Sequence, residues 1–223
     1  MHLDQLNTKT ILYLTEAFVS VQGETSFTGL PTTFIRLSAC NLRCTWCDTS
    51  YSFQRGTSWE IEDIVQYVEQ QGCSHVCITG GEPLLQPNVY LLMQLLCEKG
   101  FTLSLETSGS LPINQVDPRV HIILDVKCPG SGMQHKNDWS NLSQLSMKDE
   151  VKFVLLDESD YDYAKEICVK FDLYKQVKEI LFAPVHGKID PPQLIAWILR
   201  DRLPVRLNLQ LHKYIWDPLK RGV

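Results

Sequence analysis

A chain of 223 residues with 44% hydrophobic and 21% charged residues has the size and balance of one soluble globular domain, 1–223. Its net charge of −5 speaks against a general nucleic-acid or membrane-surface binder, although Lys213, Lys220 and Arg221 could form a local basic patch. No apolar run reaches the roughly 18 residues of a membrane span and the N-terminus lacks an export-signal pattern, so the eight cysteines read as thiols or cluster ligands in a reducing cytoplasm.

Residues 1–10 read as a frayed lead-in. Ile11 to Val21 is apolar-rich and ends in the turn Gln22-Gly23-Glu24. Thr32 to Leu37 reads as a strand with Arg36 embedded in it, delivering the loop Cys40 to Thr49. Thr57-Ser58-Trp59-Glu60 has the pattern of a capping box, and Ile61, Ile64, Val65 and Val68 follow at helical spacing until Gly72. His75 to Thr79 is a short buried strand running into Gly80-Gly81-Glu82-Pro83. Asn88 to Lys99 is a helix with Leu91, Leu92, Leu95 and Leu96 inward, and Gly100 ends it. Strands follow at Thr102 to Glu106 and Val120 to Val126, then a Gly- and Ser-rich stretch over 128–148. Val151 to Leu156 is a strand and Tyr161 to Phe171 a helix. Ile180 to Phe182 is a strand before Pro184-Val185-His186-Gly187. Asp190, Pro191 and Pro192 open a helix to about Arg200, and Val205 to Leu209 is the last strand before the tail.

Strands alternating with helices predict an α/β fold with a mostly parallel sheet and crossover helices. The motifs at Cys40–Thr49, Gly80–Pro83, Glu106–Gly109, Lys127 and His186 each end a predicted strand. In parallel sheets and barrels, ligands bind at that edge.

Cys40, Cys44 and Cys47 stand at Cys-x3-Cys-x2-Cys spacing. Structural zinc takes four protein ligands, whereas three thiolates suit a [4Fe–4S] cluster that keeps one iron open. A zinc knuckle or redox thiol loop remains the alternative on spacing alone. The spacing, with Trp46 before the last cysteine and Gly80-Gly81-Glu82-Pro83 one β/α unit later, resembles the radical S-adenosylmethionine (SAM) superfamily. That resemblance implies a partial TIM-like β/α barrel whose open iron chelates SAM. It also implies that Trp46, Cys47 and Asp48 lie along the adenine and ribose, and that Gly81 and the Glu82 carboxylate meet the methionine end. Glu106, Thr107 and Ser108 would add polar contacts.

A narrower resemblance runs from residue 16 to the C-terminus. Gln22-Gly23-Glu24, Arg36, Cys47-Asp48-Thr49, Leu105 to Gly109, Leu211 to Tyr214 and Arg221-Gly222-Val223 are similar to the 7-carboxy-7-deazaguanine synthases. That family converts 6-carboxy-5,6,7,8-tetrahydropterin to 7-carboxy-7-deazaguanine with loss of ammonia, on the route to queuosine. The resemblance implies a pterin edge held by Gln22, Gly23 and Glu24, a substrate carboxylate clamped by Arg36, and further contacts from Thr79 and the Val223 carboxylate. It implies Mg2+ at the Thr49 hydroxyl, an external flavodoxin- or ferredoxin-type electron donor and a homodimer. Asp125-Val126-Lys127 stands where the family often has Ser-Pro-Lys; Asp125 could still accept from ribose hydroxyls.

Residue chemistry adds its own reason for a ligand at Arg36: a buried arginine needs an anionic partner, and Glu24 is one alternative to a substrate. Cys73, Cys77, Cys97, Cys128 and Cys168 show no cluster-like grouping. His186 and His212 could touch ligand without being catalytic. Two rival functions share some of these features. A glycyl-radical enzyme activase has the cysteine spacing but no use for Glu24, and a zinc-binding interaction module has no use for Gly80–Pro83.

Overall fold

The computed structural model describes residues 10–223, so the expected lead-in, except Thr10, lies outside the described residues. Among these, nine strands form one sheet: β1 (Ile11–Val21), β2 (Pro31–Leu37), β3 (Thr57–Glu60), β4 (His75–Gly80), β5 (Thr102–Thr107), β6 (His121–Asp125), β7 (Glu150–Leu155), β8 (Glu179–Pro184) and β9 (Arg206–Leu207). Their order is β3-β1-β2-β4-β5-β6-β7-β8-β9. From β2 to β9 every neighbour pairs in parallel. β1 runs antiparallel to both β2 and β3. The longer helices are α1 (Ile61–Gln71), α2 (Val89–Glu98), α3 (Glu158–Lys170) and α5 (Pro191–Asp201), with short turns α4 (Leu173–Gln176) and α6 (His212–Ile215). The sheet, with helices in its crossovers, is the α/β partial barrel expected.

Two local expectations change. Thr57 to Glu60 is no capping box: its backbone pairs with β1, Ile11 opposite Glu60 and Leu14 opposite Thr57. Helix α1 instead starts from extended Glu60 with no side-chain cap, and Glu62 and Asp63 in its first turn meet the positive end of the helix dipole. Gly72, left-handed at φ 71°, ends it as predicted. In α2 the buried face is Val89, Leu92, Met93 and Leu96, while Leu91 turns outward. The stretch over 128–148 contains three 3-10 turns.

Contacts across the chain show how far the sheet curls. After β1 the Thr25 N–H donates to Asn208 Oδ1 (2.8 Å), beyond β9. The Ser26 N–H donates to the Glu150 carboxylate at the start of β7 (3.2 Å). The β1–β2 loop therefore spans the barrel as a floor, opposite the cysteine loop. Its Phe27 stacks on His75 (centroids 4.4 Å apart) and meets His121 edge-on (5.3 Å), both at strand starts. Val151, Phe153 and Leu155 of β7 join the core, so Lys152 and Val154 face the lumen, as strand alternation requires.

Candidate active site

The inner face of the sheet, the loops at its C-terminal edge and the tail enclose a cavity of about 850 Å³. Cys40, Cys44 and Cys47 all line it. They are free and partly buried, and burial pushes the Cys40 and Cys44 thiols up. Among the described residues no group of three or more His, Cys, Asp or Glu is placed to hold a single metal ion. Three thiols on one wall, with no fourth protein ligand drawn in, fit the open-iron cluster better than a structural zinc.

The loop is held by its neighbours. Ala39 turns left-handed (φ 71°) just before Cys40, and its carbonyl accepts from Glu82 N–H (2.9 Å). A Cβ at Gly81 would come within 2.1 Å of the Ala39 oxygen and 2.7 Å of Cys40 Cβ. The glycine is thus required by the cysteine loop itself, a reason that comes before any ligand. Gly80 and Gly81 both line the cavity.

The Glu82 carboxylate does not meet a ligand. It is fully buried and accepts from Leu84 N–H (3.0 Å), Thr107 Oγ1 (2.9 Å), Ser108 N–H (2.8 Å) and Ser108 Oγ (2.5 Å). Thr107 and Ser108 turn their hydroxyls to this strut while both still line the cavity. Val126 also leaves the site: it is buried in the core and its N–H donates to Lys152 O (2.9 Å). Asp48 is committed to the tail, accepting from Lys213 Nζ (2.7 Å) and Gln210 Nε2 (3.1 Å). Burial opposes that charge, but Lys213, Gln210 and Lys152 together hold the Asp48 pKa at about 2. Lys213, Lys220 and Arg221 line the cavity, with Arg221 over the Tyr51 ring (3.9 Å); Lys213 is drawn in by Asp48, while Lys220 and Arg221 are also exposed. Trp46 and Thr49 stay on the cavity wall, and Thr49 Oγ1 is 3.8 Å from Cys47 Sγ. Asp125 pairs with Lys127 (3.0 Å), while its other oxygen, Oδ1, is buried without a hydrogen-bond partner among the described residues.

Gln22, Gly23, Glu24, Arg36, Thr79 and Val223 line the same cavity. Glu24 and Arg36 do not pair with each other. Arg36 Nε donates to Glu16 Oε1 (2.7 Å), which also accepts from Tyr51 Oη (3.0 Å). The two terminal nitrogens of Arg36 are left without a hydrogen-bond partner among the described residues. Glu24 accepts from Lys152 Nζ (3.1 Å), Gln210 Nε2 (2.9 Å) and Asn208 Nδ2 (3.3 Å). Burial works against Glu24 ionising, but Lys152 and the Gln210 hydrogen bond together hold the carboxyl below its usual range. Gln22 is buried; its Oε1 accepts from Glu24 N–H (3.2 Å), and its Nε2 is directed toward the Cys77 thiol with no hydrogen bond of good geometry among the described residues. Thr79 donates to Glu106 Oε2 (3.0 Å). Gly23 leaves room for the tail: a Cβ there would sit 2.2 Å from His212 Nδ1. His186 lines the cavity.

Sequence reasoning missed Lys152, Glu16, Tyr51 and Gln210. Lys152 carried the same signal as Arg36, a charge within an apolar strand. Gln210 sits in an irregular tail and carried none.

The family model of the radical SAM superfamily matches residues 34–125. The 7-carboxy-7-deazaguanine synthase of Chlorobaculum tepidum is 43% identical over 98% of this chain and 100% of that one. That of Koribacter versatilis is 40% identical over 95% and 100%. The crystal structure of QueE from Escherichia coli, at 24% identity, shares the fold with a TM-score of 0.74 over 95% of this chain and 100% of that one. With relatives this similar along nearly its whole length, the chain belongs to the 7-carboxy-7-deazaguanine synthase family of radical SAM enzymes.

Proposed function

We infer that this chain converts 6-carboxy-5,6,7,8-tetrahydropterin to 7-carboxy-7-deazaguanine with release of ammonia, as an enzyme of the queuosine route. One observation carries the reading: a single cavity is lined by three free thiols of one loop and by Glu24, Gln22 and Arg36, whose terminal nitrogens have no hydrogen-bond partner among the described residues. Cys40, Cys44 and Cys47 would hold the cluster. Trp46, Gly81, Lys127 and the spare oxygen of Asp125 would hold SAM. When bound, cluster and SAM supply the 5′-deoxyadenosyl radical that takes hydrogen from C6 of the substrate, and SAM is regenerated.

The chain's own groups bind and orient. An ionised Glu24 accepts from the adjacent N–H groups of the pterin's amidine edge, and Gln22 Nε2 donates to its carbonyl. Arg36, with two free nitrogens, clamps the substrate carboxylate in a planar fork. Thr79 adds a hydroxyl, and Val223 closes the wall. Thr49 would give one oxygen to Mg2+, a cation that takes few protein ligands. The ring contraction needs no side-chain nucleophile. One domain carries the whole site, as a homodimer in a reducing cytoplasm supplied with electrons by a flavodoxin- or ferredoxin-type donor. All eight cysteines are free, as that compartment requires, and no helix among the described residues is long and apolar enough to cross a membrane.

The test is anaerobic turnover of iron-reconstituted protein with SAM, Mg2+, dithionite and the tetrahydropterin, read by mass spectrometry. Carboxydeazaguanine is the expected product. SAM cleavage to 5′-deoxyadenosine without it would overturn the substrate assignment and bring back the activase reading, for which Glu24→Ala should be harmless.

A further inference from the structure

Lys152 stands in mid-strand between Val151 and Phe153, both fully buried. Its own side chain is only 10% exposed, and it donates to Glu24 Oε2 at 3.1 Å, with Asp125 Oδ2 at 3.9 Å. A buried ammonium costs several kcal/mol unless anions match it. Here Glu24 comes from the floor and Asp125 from the end of β6, so one cation ties the proposed pterin side to the proposed SAM side. We propose that Lys152 is a positioning residue: held between Glu24 and Asp125, it keeps the Glu24 carboxylate in place as an acceptor for adjacent N–H donors of the substrate. This rests on the function proposed above and deepens it.

The charge balance supports the assignment. Burial disfavours a charge on Lys152, yet Glu24, Asp125 and Glu106 together hold its pKa above the ordinary lysine value. Lys127 also serves Asp125 (3.0 Å) and Arg36 serves Glu16 (2.7 Å), so Glu24 is the carboxylate nearest to Lys152, with Asp125 farther off and Glu106 acting through its charge. The Glu24 and Glu106 carboxyls are pushed apart. Glu24 is held below its usual range against its burial, whereas burial raises Glu106, whose hydroxyl partner is Thr79. Such a split leaves one carboxylate as acceptor and lets the other keep its proton more readily. The charged groups facing Glu24 are Lys152 from β7, Glu106 from β5, Asp48 from the cysteine loop and His212 from the tail. Lys152 is the one cation bonded to it among the described residues. Without it, Glu24 would turn toward the protonated state, which presents fewer lone pairs to two N–H groups.

The experiment uses iron-loaded protein carrying Lys152→Met, Lys152→Arg, Glu24→Gln, or Glu24→Gln with Lys152→Met. Pterin-6-carboxylate, a stable fluorescent probe, is titrated across pH, and the Glu24 carboxyl is followed by difference infrared spectroscopy against the Glu24→Gln protein. Lys152→Met should weaken probe binding about 10- to 100-fold near neutral pH. The loss should shrink as pH rises, the Glu24 titration should move upward, and Lys152→Arg should restore much of the binding. In the Glu24→Gln background, Lys152→Met should cost little more. Should Lys152→Met fail to fold, Lys152→Gln carries the same cycle. Equal cost in both backgrounds, or an unmoved Glu24 titration, would overturn the proposal. If the Glu24 titration moves but unaltered protein ignores the probe, positioning stands and the pterin reading falls.

Discussion

Glu82→Ala removes the acceptor for two main-chain N–H groups, of Leu84 and Ser108, and for the hydroxyls of Thr107 and Ser108. The carboxylate is fully buried, so water cannot replace it without entering the core. The hydroxyls can turn, and Ser108 Oγ already lies 2.8 Å from Ser110 Oγ. The main-chain groups cannot, and each buried N–H left unsatisfied costs about 1–3 kcal/mol. The sum is about 2–6 kcal/mol, a fall in Tm of roughly 5–20 °C for a chain of this size. Glu82→Gln keeps one acceptor oxygen but sets an amide N–H against a donor, and should cost about 1–3 kcal/mol. Urea unfolding of the iron-free proteins reads this as a lower midpoint at unchanged slope. If Glu82→Ala unfolds within about 0.5 kcal/mol of the unaltered protein while the reconstituted variant loses SAM binding, the carboxylate is a ligand group and the strut argument is wrong.

Gly81→Ala drives a Cβ to within 2.7 Å of Cys40 Cβ and 2.1 Å of the Ala39 oxygen, so reconstituted protein should retain clearly less iron after desalting; full loading would show that the loop yields freely. Cys40→Ala, Cys44→Ala and Cys47→Ala should each abolish SAM cleavage, and 5′-deoxyadenosine from any of them would remove that cysteine from the ligand set. Burial, with His121 adding like-charge repulsion, lowers the His75 pKa to about 4 from 6.5. The unfolded chain takes up this proton at higher pH than the folded one. Its contribution is therefore complete above pH 6.5 and lost as pH falls toward 4, by up to about 3 kcal/mol. Urea midpoints at pH 7 and 4.5 should fall further for the unaltered protein than for His75→Gln; equal falls would refute this assignment.

The chain's local signals carried much of the architecture. The alternation of strand and helix, the glycine stops and the apolar spacing are short-range properties, and the parallel sheet follows from them. The cysteine spacing and the paired glycines were legible for the same reason: the residues that converge on one centre are neighbours in sequence. Thr57 to Glu60 failed as a cap because the β1 edge offers its backbone a ladder that no local pattern reveals.

What only the tertiary structure decided is which charge meets which. Arg36 was singled out as needing an anion, but its partner, Glu16, arrives through strand register between β1 and β2, where the two stand opposite each other. Glu24 finds Lys152, 128 positions along the chain, only because the sheet curls until its first loop crosses the lumen. Glu82 was read as a ligand group because sequence shows a carboxylate beside glycines; the fold turns it toward four donors of its own. The chemistry available to this protein was written in its residue types and their short spacings. The division between side chains that hold the barrel and side chains that face a ligand depended on burial and long-range pairing, because a polar group inside a protein goes to whichever partner the fold places within a hydrogen bond's reach.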